Sequence, residues 1–178
     1  MLMIIVIALV LAVAGLLVYA AMQPDDFRLE RKTTIKAPPD RIFPHIADFR
    51  RWGAWSPWEK KDPAMKRDFS GPASGKGTAY AWEGNKAVGS GRMEITEDTP
   101  PTRVVIRLDF LKPFETTSTA EFTLRPEGGS TTVTWVMFGK NNFLAKIMCV
   151  FMNMDKMVGP DFEAGLASLK AVAEKAGA

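Results

Sequence analysis

The sequence predicts an α+β fold in which a curved antiparallel sheet of about seven strands packs around a long C-terminal helix, preceded by one transmembrane helix. Three observations predict it. Residues 1–22 carry no charged side chain. Residues 65–140 contain repeated short extended runs separated by Gly, Pro and Asp, as in antiparallel sheets. From Phe143 onward, apolar residues recur at helical spacing.

The first segment, residues 1–22, is long and apolar enough to cross a bilayer. All of its residues except Gly15 are hydrophobic, and about 20 apolar helical residues match a hydrocarbon core of roughly 30 Å. A cleaved secretory signal is the alternative, because small residues surround Tyr19. The segment lacks the basic n-region of such a signal, however, and its apolar run is longer than usual. We therefore expect a retained single-pass anchor.

A short linker at residues 23–26 leads into one domain at residues 27–178. No Lys or Arg precedes the apolar segment, whereas Arg28, Arg31 and Lys32 follow it. The positive-inside rule then favours a cytoplasmic domain, while a periplasmic or extracellular location stays open. The linker is too short to let the domain leave the membrane surface.

The domain begins with a strand and a helical segment. Residues 27–37 alternate weakly and stop at a proline pair, which suits a helix start. Apolar spacing predicts a helix at about residues 39–47, with a second turn after Asp48. A Trp-rich loop follows, with Trp52, Trp55 and Trp58.

Six further strands are expected at about residues 66–70, 77–83, 88–96, 103–110, 115–125 and 131–139. Their period-2 pattern selects one inward face. That face contains Tyr80, Trp82, Met93, Ile95, Val104, Ile106, Leu108, Phe110, Phe122, Leu124, Val133, Trp135 and Met137. The C-terminal helix offers a complementary stripe of Val158, Phe162, Leu166, Leu169 and Ala173. The stripe indicates a helix that covers the sheet.

Charge and composition exclude several functions. The net charge is +3, with 23 basic residues interleaved with 20 acidic ones, so we expect no nucleic-acid binding. His45 and Cys149 are the single residues of their types and cannot form a zinc centre. We therefore expect no metal and no cofactor. No protein partner can be named from the sequence.

Residues suited to catalysis are few, and we assign none. His45 is expected at a surface or rim position, although general-base work stays possible. Cys149 lies in an apolar run typical of an inert thiol. Residues 71–77 are glycine-rich but join two strands, which predicts a hairpin turn in preference to a phosphate loop. The charged residues Arg92, Glu94, Arg107 and Asp109 are expected to face solvent.

Several motifs together resemble one superfamily. They are Ala47-Asp48-Phe49-Arg50-Arg51-Trp52, Trp55-Ser56-Pro57-Trp58-Glu59, Gly71-Pro72 with Gly75-x-Gly77, Tyr80-x-Trp82-x-Gly84-Asn85, Gly89-x-Gly91-x-Met93-x-Ile95, Val133-Thr134-Trp135-x-Met137-x-Gly139 and Asp161-Phe162-x-x-Gly165-Leu166-x-x-Leu169-Lys170. The chain thereby resembles the polyketide cyclase/dehydrase branch of the START and Bet v 1-like (SRPBCC) superfamily over roughly residues 27–175. The resemblance implies a helix-grip fold.

The same resemblance implies an apolar cavity for a lipid, isoprenoid or polyketide-like molecule between the sheet and the long helix. A fully packed interior is the alternative. If the cavity forms, the hairpin turn at residues 71–77 is expected at its mouth. The candidate cavity residues are Trp52, Trp55, Tyr80, Trp82, Met93, Phe110, Trp135, Met137, Phe162 and Leu166.

The leading hypothesis is a membrane-anchored module that binds a hydrophobic small molecule. One alternative is an enzyme resembling a polyketide cyclase or dehydratase and acting on an apolar substrate. Another is a scaffold whose Trp-rich loop binds a protein partner, because exposed Trp is enriched at binding hot spots.

Overall fold

A computed structural model describes residues 1–175, so the last three residues of the predicted domain lie outside the described part. The helices are α1 (Leu2–Ala21), α2 (Pro39–Ala47), α3 (Pro57–Lys61), α4 (Phe143–Phe151) and α5 (Met154–Lys175), and a 3₁₀ helix spans Phe49–Ala54. The strands are β1 (Asp26–Ile35), β2 (Lys66–Ser70), β3 (Ala79–Glu83), β4 (Ser90–Thr99), β5 (Arg103–Lys112), β6 (Thr116–Glu127) and β7 (Ser130–Lys140).

All seven strands form one antiparallel sheet in the order β1-β7-β6-β5-β4-β3-β2. Register shifts occur in β4 at Ser90/Gly91 and Ile95/Glu97. Such bulges bend a strand and increase its twist. Helix α5 packs along β1 and covers the inner face of the sheet. The arrangement is the helix-grip fold and confirms the predicted α+β class.

The core centres on an aromatic stack between the sheet and α5. Trp135 of β7 stacks on Phe122 of β6 with ring centroids 4.8 Å apart and on Phe162 of α5 with centroids 4.0 Å apart. Trp55 meets both Phe122 and Trp135 edge to face. Gly165 permits this close approach, because a Cβ there would lie 3.0 Å from the Trp135 ring.

Two segments differ from the sequence-based prediction. Residues expected to form a loop contain α3, because Pro57 at the first helical position favours a helix start. The predicted single C-terminal helix is divided into α4 and α5. Met152 is extended, and the Asn153 side chain accepts a hydrogen bond of 3.1 Å from the Lys156 N–H, which caps the start of α5.

The strand register gives the sheet two distinct ends. Asp26, just after α1, pairs with Lys140, and Ser90 pairs with Lys112. The end where α1 enters, called here the α1 end, therefore also holds the connections at residues 84–89, 113–115 and 141–142. The opposite end, called the far end, holds the turns at residues 100–102 and 128–129.

Helix α4 lies against α1. Ala20 is fully buried, in contrast to the other residues of α1. Lys146 of α4 forms an ion pair with Asp25 and also donates a hydrogen bond of 3.5 Å to the carbonyl of Ala21. By length and composition, α1 is able to cross a membrane. Its last turn is therefore joined to the domain by packing and by charge.

We expect Phe122→Ala to lower the free energy of unfolding by about 3–5 kcal/mol, because Phe122 is fully buried between three other aromatic rings. Denaturant titration of the full chain in detergent, followed by Trp fluorescence, measures this. Thr119→Ala on the outer face of the same strand is the control and should cost about 1 kcal/mol or less. Equal losses for both variants would contradict the assigned core.

Candidate functional site

A cavity of about 390 Å³ lies between the sheet, α3, α4 and the first turns of α5. Its wall is mostly apolar. The volume is within the range of small-molecule sites, about 300–1,000 Å³. The interior of the domain is therefore open in part, as the cavity interpretation of the sequence requires.

Eight of the ten candidate cavity residues line this space: Trp52, Tyr80, Trp82, Met93, Phe110, Trp135, Met137 and Phe162. Trp55 and Leu166 do not, which corrects the prediction for these two. The Trp55 indole donates a hydrogen bond of 2.9 Å to the carbonyl of His45, and this bond holds the ring in the packed core. Leu166 follows Phe162 by about one helical turn and is buried beyond the aromatic stack.

The Trp-rich loop does not present exposed indoles. Trp52 and Trp55 are buried, and the Trp52 N–H donates to the carbonyl of Ile46 at 3.0 Å. Trp58 packs edge to face against Trp135 and Phe162. The structure thus removes the exposed Trp on which the protein-scaffold hypothesis depended.

One corner of the cavity wall is polar: Glu59 and Tyr80 line it, and Arg67 bonds to Glu59 from outside the cavity. The Tyr80 hydroxyl donates to Glu59 Oε1 at 2.7 Å, and Arg67 Nε donates to Glu59 Oε2 at 2.7 Å. The Glu59 side chain is only 9% exposed. Burial, and then the Glu59 carboxylate, raise the pKa of Tyr80 well above its usual value. The phenol therefore stays neutral at physiological pH and remains a hydrogen-bond donor.

Sequence reasoning missed Glu59, because its segment was predicted to be a loop. The available signal was Pro57 followed by residues that favour a helix, which predicts a short turn. That turn, α3, brings Trp58 and Glu59 to the cavity.

The other residues considered for catalysis lie outside the cavity wall. His45 is half-buried, its Nδ1 has no hydrogen-bond partner among the described residues, and burial followed by Arg51 lowers its pKa. Cys149 is half-buried on α4. Within residues 1–175, no three His, Cys, Asp or Glu side chains are grouped as metal ligands.

The four charged strand residues lie on the outer face, as predicted. Arg92 forms an ion pair with Glu94 at 2.8 Å, and Arg107 forms one with Asp109 at 3.0 Å. Across β4 and β5, Arg92 is opposite Asp109 and Glu94 is opposite Arg107. These charges neutralise one another on the surface and do not reach the cavity.

The cavity opens at the α1 end. Its lining residues Phe114 and Leu144 are about half exposed, and Lys86 and Glu115 at the same end are exposed. The predicted position of residues 71–77 at the mouth is wrong. The Gly75 N–H donates a hydrogen bond to the carbonyl of Ala47, and the Lys76 N–H donates one to the Asp98 side chain. Because Asp98 lies near the end of β4, residues 71–77 lie toward the far end.

The model of one protein family, described as "Polyketide cyclase / dehydrase and lipid transport", matches residues 26–174. The chain belongs to this family. The match begins at β1 and ends within α5, so it covers the sheet, the cavity and its helical cover. No curated protein matches the chain in sequence.

Solved structures show the same fold at low sequence identity. Ara h 8.0201 is 11% identical, with a TM-score of 0.55 over 83% of this chain and 97% of its own. The Aha1 dimer from Colwellia psychrerythraea is 18% identical, with a TM-score of 0.56 over 83% and 96%. The di-domain ARO/CYC BexL from the BE-7585A biosynthetic pathway is 16% identical, with a TM-score of 0.60 over 88% of this chain and 52% of its own.

We expect Glu59→Gln to lower the pKa of Tyr80, because the substitution removes a carboxylate that stabilises the protonated phenol. The measurement is an ultraviolet titration of phenolate in a Tyr19→Phe background, where Tyr80 is the only tyrosine left. The pKa of Tyr80 is higher in the folded state than in the unfolded state. The stability that this difference contributes is therefore fully present below a pH of about 10 and is lost as the pH rises toward the folded-state pKa.

The control for this titration is Glu83→Gln, which changes an exposed carboxylate on the same strand as Tyr80. It should leave the phenolate transition unchanged. A transition that stayed at the same pH in Glu59→Gln would show that the polar corner does not form in solution.

Proposed function

We propose that this protein is a membrane-anchored module that binds a hydrophobic small molecule in its internal cavity. The observation that carries the proposal is an apolar cavity of about 390 Å³ whose mouth lies beside an apolar helix able to span a membrane. Membership of a family described by cyclase, dehydrase and lipid transport supports it. Molecules that reside in the bilayer would be present at high concentration near such an opening.

The wall chemistry selects for a mainly apolar ligand with one polar group. Trp82, Met93, Leu108 and Met137 contribute apolar surface, and Met side chains adapt to irregular shapes. Glu59, hydrogen-bonded to Tyr80, contributes a largely buried carboxylate to this wall. A lipid, isoprenoid or polyketide-like molecule with a single hydroxyl or carbonyl fits this pattern.

The packing of α1 supports a retained anchor over a cleaved signal. Cleavage near Ala20 would remove the residue that is buried against α4 and would leave α4 uncovered. The excess of Lys and Arg after the helix supports a cytoplasmic domain.

A second candidate function is catalysis on an apolar substrate, as in cyclases or dehydratases. Two observations favour it: the Glu59–Tyr80 pair on the cavity wall, and the likeness to the di-domain ARO/CYC protein BexL. If turnover is found, Glu59→Gln and Tyr80→Phe should abolish it. Turnover unchanged in both variants would exclude this pair from the chemistry.

We expect Met137→Trp to weaken binding of a fluorescent lipid at least tenfold, because the larger ring fills part of the cavity. Phe138→Trp is the matched control, since Phe138 is the next residue of β7 and points to the outer face. Fluorescence titration of the full chain in nanodiscs gives both affinities, and native mass spectrometry of the purified chain detects a co-purified ligand. Wild-type protein that carries no ligand and takes up no lipid would contradict the proposal.

We expect the protein extracted from cell membranes to retain residues 1–22. Intact-mass measurement tests this, and a mature N-terminus near Ala20 would contradict it.

We also expect the domain to lie on the cytoplasmic side of the membrane. A cysteine at Ala73 in a Cys149→Ser background should then react with an impermeant maleimide only after permeabilisation. A cysteine at Leu2 is the control and should react in intact cells. The reverse pattern would place the domain outside.

A further inference from the structure

Exposed large apolar side chains are confined to one part of the domain surface. Within residues 23–175 they occur only in the β5–β6 hairpin, in α4 with the residue that follows it, and in the first turn of α5. We call this set the apolar collar. It comprises Leu111, Phe114, Phe143, Leu144, Phe151, Met152 and Met157, which are 39–69% exposed.

The collar surrounds the cavity mouth. Its members Phe114 and Leu144 line the mouth directly, and Met154 and Val158 line the cavity next to Met157. The other members belong to the same hairpin, to α4 and the residue after it, and to the first turn of α5. Contiguous exposed apolar surface of this kind marks a site that contacts protein or membrane.

The collar is fixed relative to α1. Helix α4, which carries three of its members, packs against the last turns of α1 and pairs Lys146 with Asp25. Helix α1 has 20 residues, a length of roughly 30 Å, which equals the thickness of the hydrocarbon core. When α1 spans the bilayer, its last turn lies at the bilayer surface, and α4 beside it lies at the same level.

The charges next to the collar suit a lipid interface. Lys86 and Lys112 are exposed at the α1 end, on the two hairpins nearest the mouth. Long lysine side chains keep their ammonium groups among headgroups while neighbouring apolar groups lie deeper. Anionic lipid would add to this attraction.

We propose that the apolar collar inserts into the bilayer that α1 crosses, so that the cavity mouth opens directly onto lipid. The inference rests on the proposed membrane anchor and deepens the proposed function, because a ligand would then enter from the bilayer without crossing water. The collar adjoins α1 at the level of the bilayer surface, so a protein that bound the collar would have to fit into a space that membrane lipid would fill. This position favours lipid over protein as the binding partner of the collar.

Site-directed spin labelling of the full chain tests the insertion. In a Cys149→Ser background, single cysteines replace Leu111 or Phe151 in the collar and Ala73 or Thr102 elsewhere, all at exposed positions outside the cavity wall. The protein is reconstituted in nanodiscs of phosphatidylcholine and phosphatidylglycerol. Collar labels should be accessible to oxygen and shielded from a nickel chelate, whereas labels at Ala73 and Thr102 should show the opposite.

Exchange kinetics provide a second measurement. Phe143→Glu and Phe151→Glu place charge in the collar, and we expect uptake of a fluorescent lipid from the nanodisc to slow at least tenfold with little change in affinity. Ala73→Glu is the matched control and should leave the rate unchanged. Unchanged rates in both collar variants would overturn the proposed entry from the bilayer.

The outcomes separate the two proposals. Collar labels as exposed to nickel chelate as the Ala73 label, in protein that still binds lipid, would overturn the insertion and leave the binding function standing. Shielded collar labels in protein that binds no lipid would support the insertion and contradict the binding function. Dipolar broadening between collar labels of neighbouring copies would assign the collar to a dimer and overturn the insertion.

Discussion

The stack of Phe122, Trp135 and Phe162 is the contact on which the interior of the domain depends. It holds α5 against the sheet at a point between the two ends of the helix. Beyond Phe162, the α5 residues Leu166, Leu169 and Ala173 are buried in dense packing. Before Phe162, Met154 and Val158 line the cavity. One aromatic contact therefore separates a packed half, which supplies stability, from an open half, which can admit a ligand.

The antiparallel register determines which half faces the membrane. Because β1 follows α1 directly, the strand ends that pair with the start of β1 must lie near the end of α1. Alternate connections of an antiparallel sheet fall at the same end, so three of them frame an opening there. The cavity is on this side of the aromatic stack. Strand order and the position of the aromatic stack together bring the apolar N-terminal helix and the apolar cavity to the same end of the domain.

Most of the fold followed from the sequence, since it depends on local periodicity. Alternation in residues such as Met93 and Ile95, and helical spacing in Phe162 and Leu169, give the correct strands and the correct helix face.

The residues that line the cavity are harder to predict. Sequence periodicity gives the face on which a side chain lies, but it does not give how deeply that side chain is buried. Trp52 and Trp55 are both buried, and each indole donates a hydrogen bond to a carbonyl of α2, yet only Trp52 lines the cavity. Glu59 was missed because α3 is only five residues long. The collar is also invisible in the sequence, because residues 111–114 and 143–157 meet only in the folded chain.

The polar corner favours orientation of a ligand over acid–base chemistry. Both carboxylate oxygens of Glu59 already accept hydrogen bonds of 2.7 Å, one from Tyr80 and one from Arg67, and the two bonds hold the carboxylate in one orientation. Breaking either bond beside an apolar cavity would be costly, which keeps the carboxylate in this orientation. Tyr80 has a raised pKa and holds its proton, so it is a poor source of a phenolate. Without any rearrangement, the corner supplies a fixed dipole at one side of the apolar cavity. Such a dipole aligns a molecule that has one polar group and an apolar remainder.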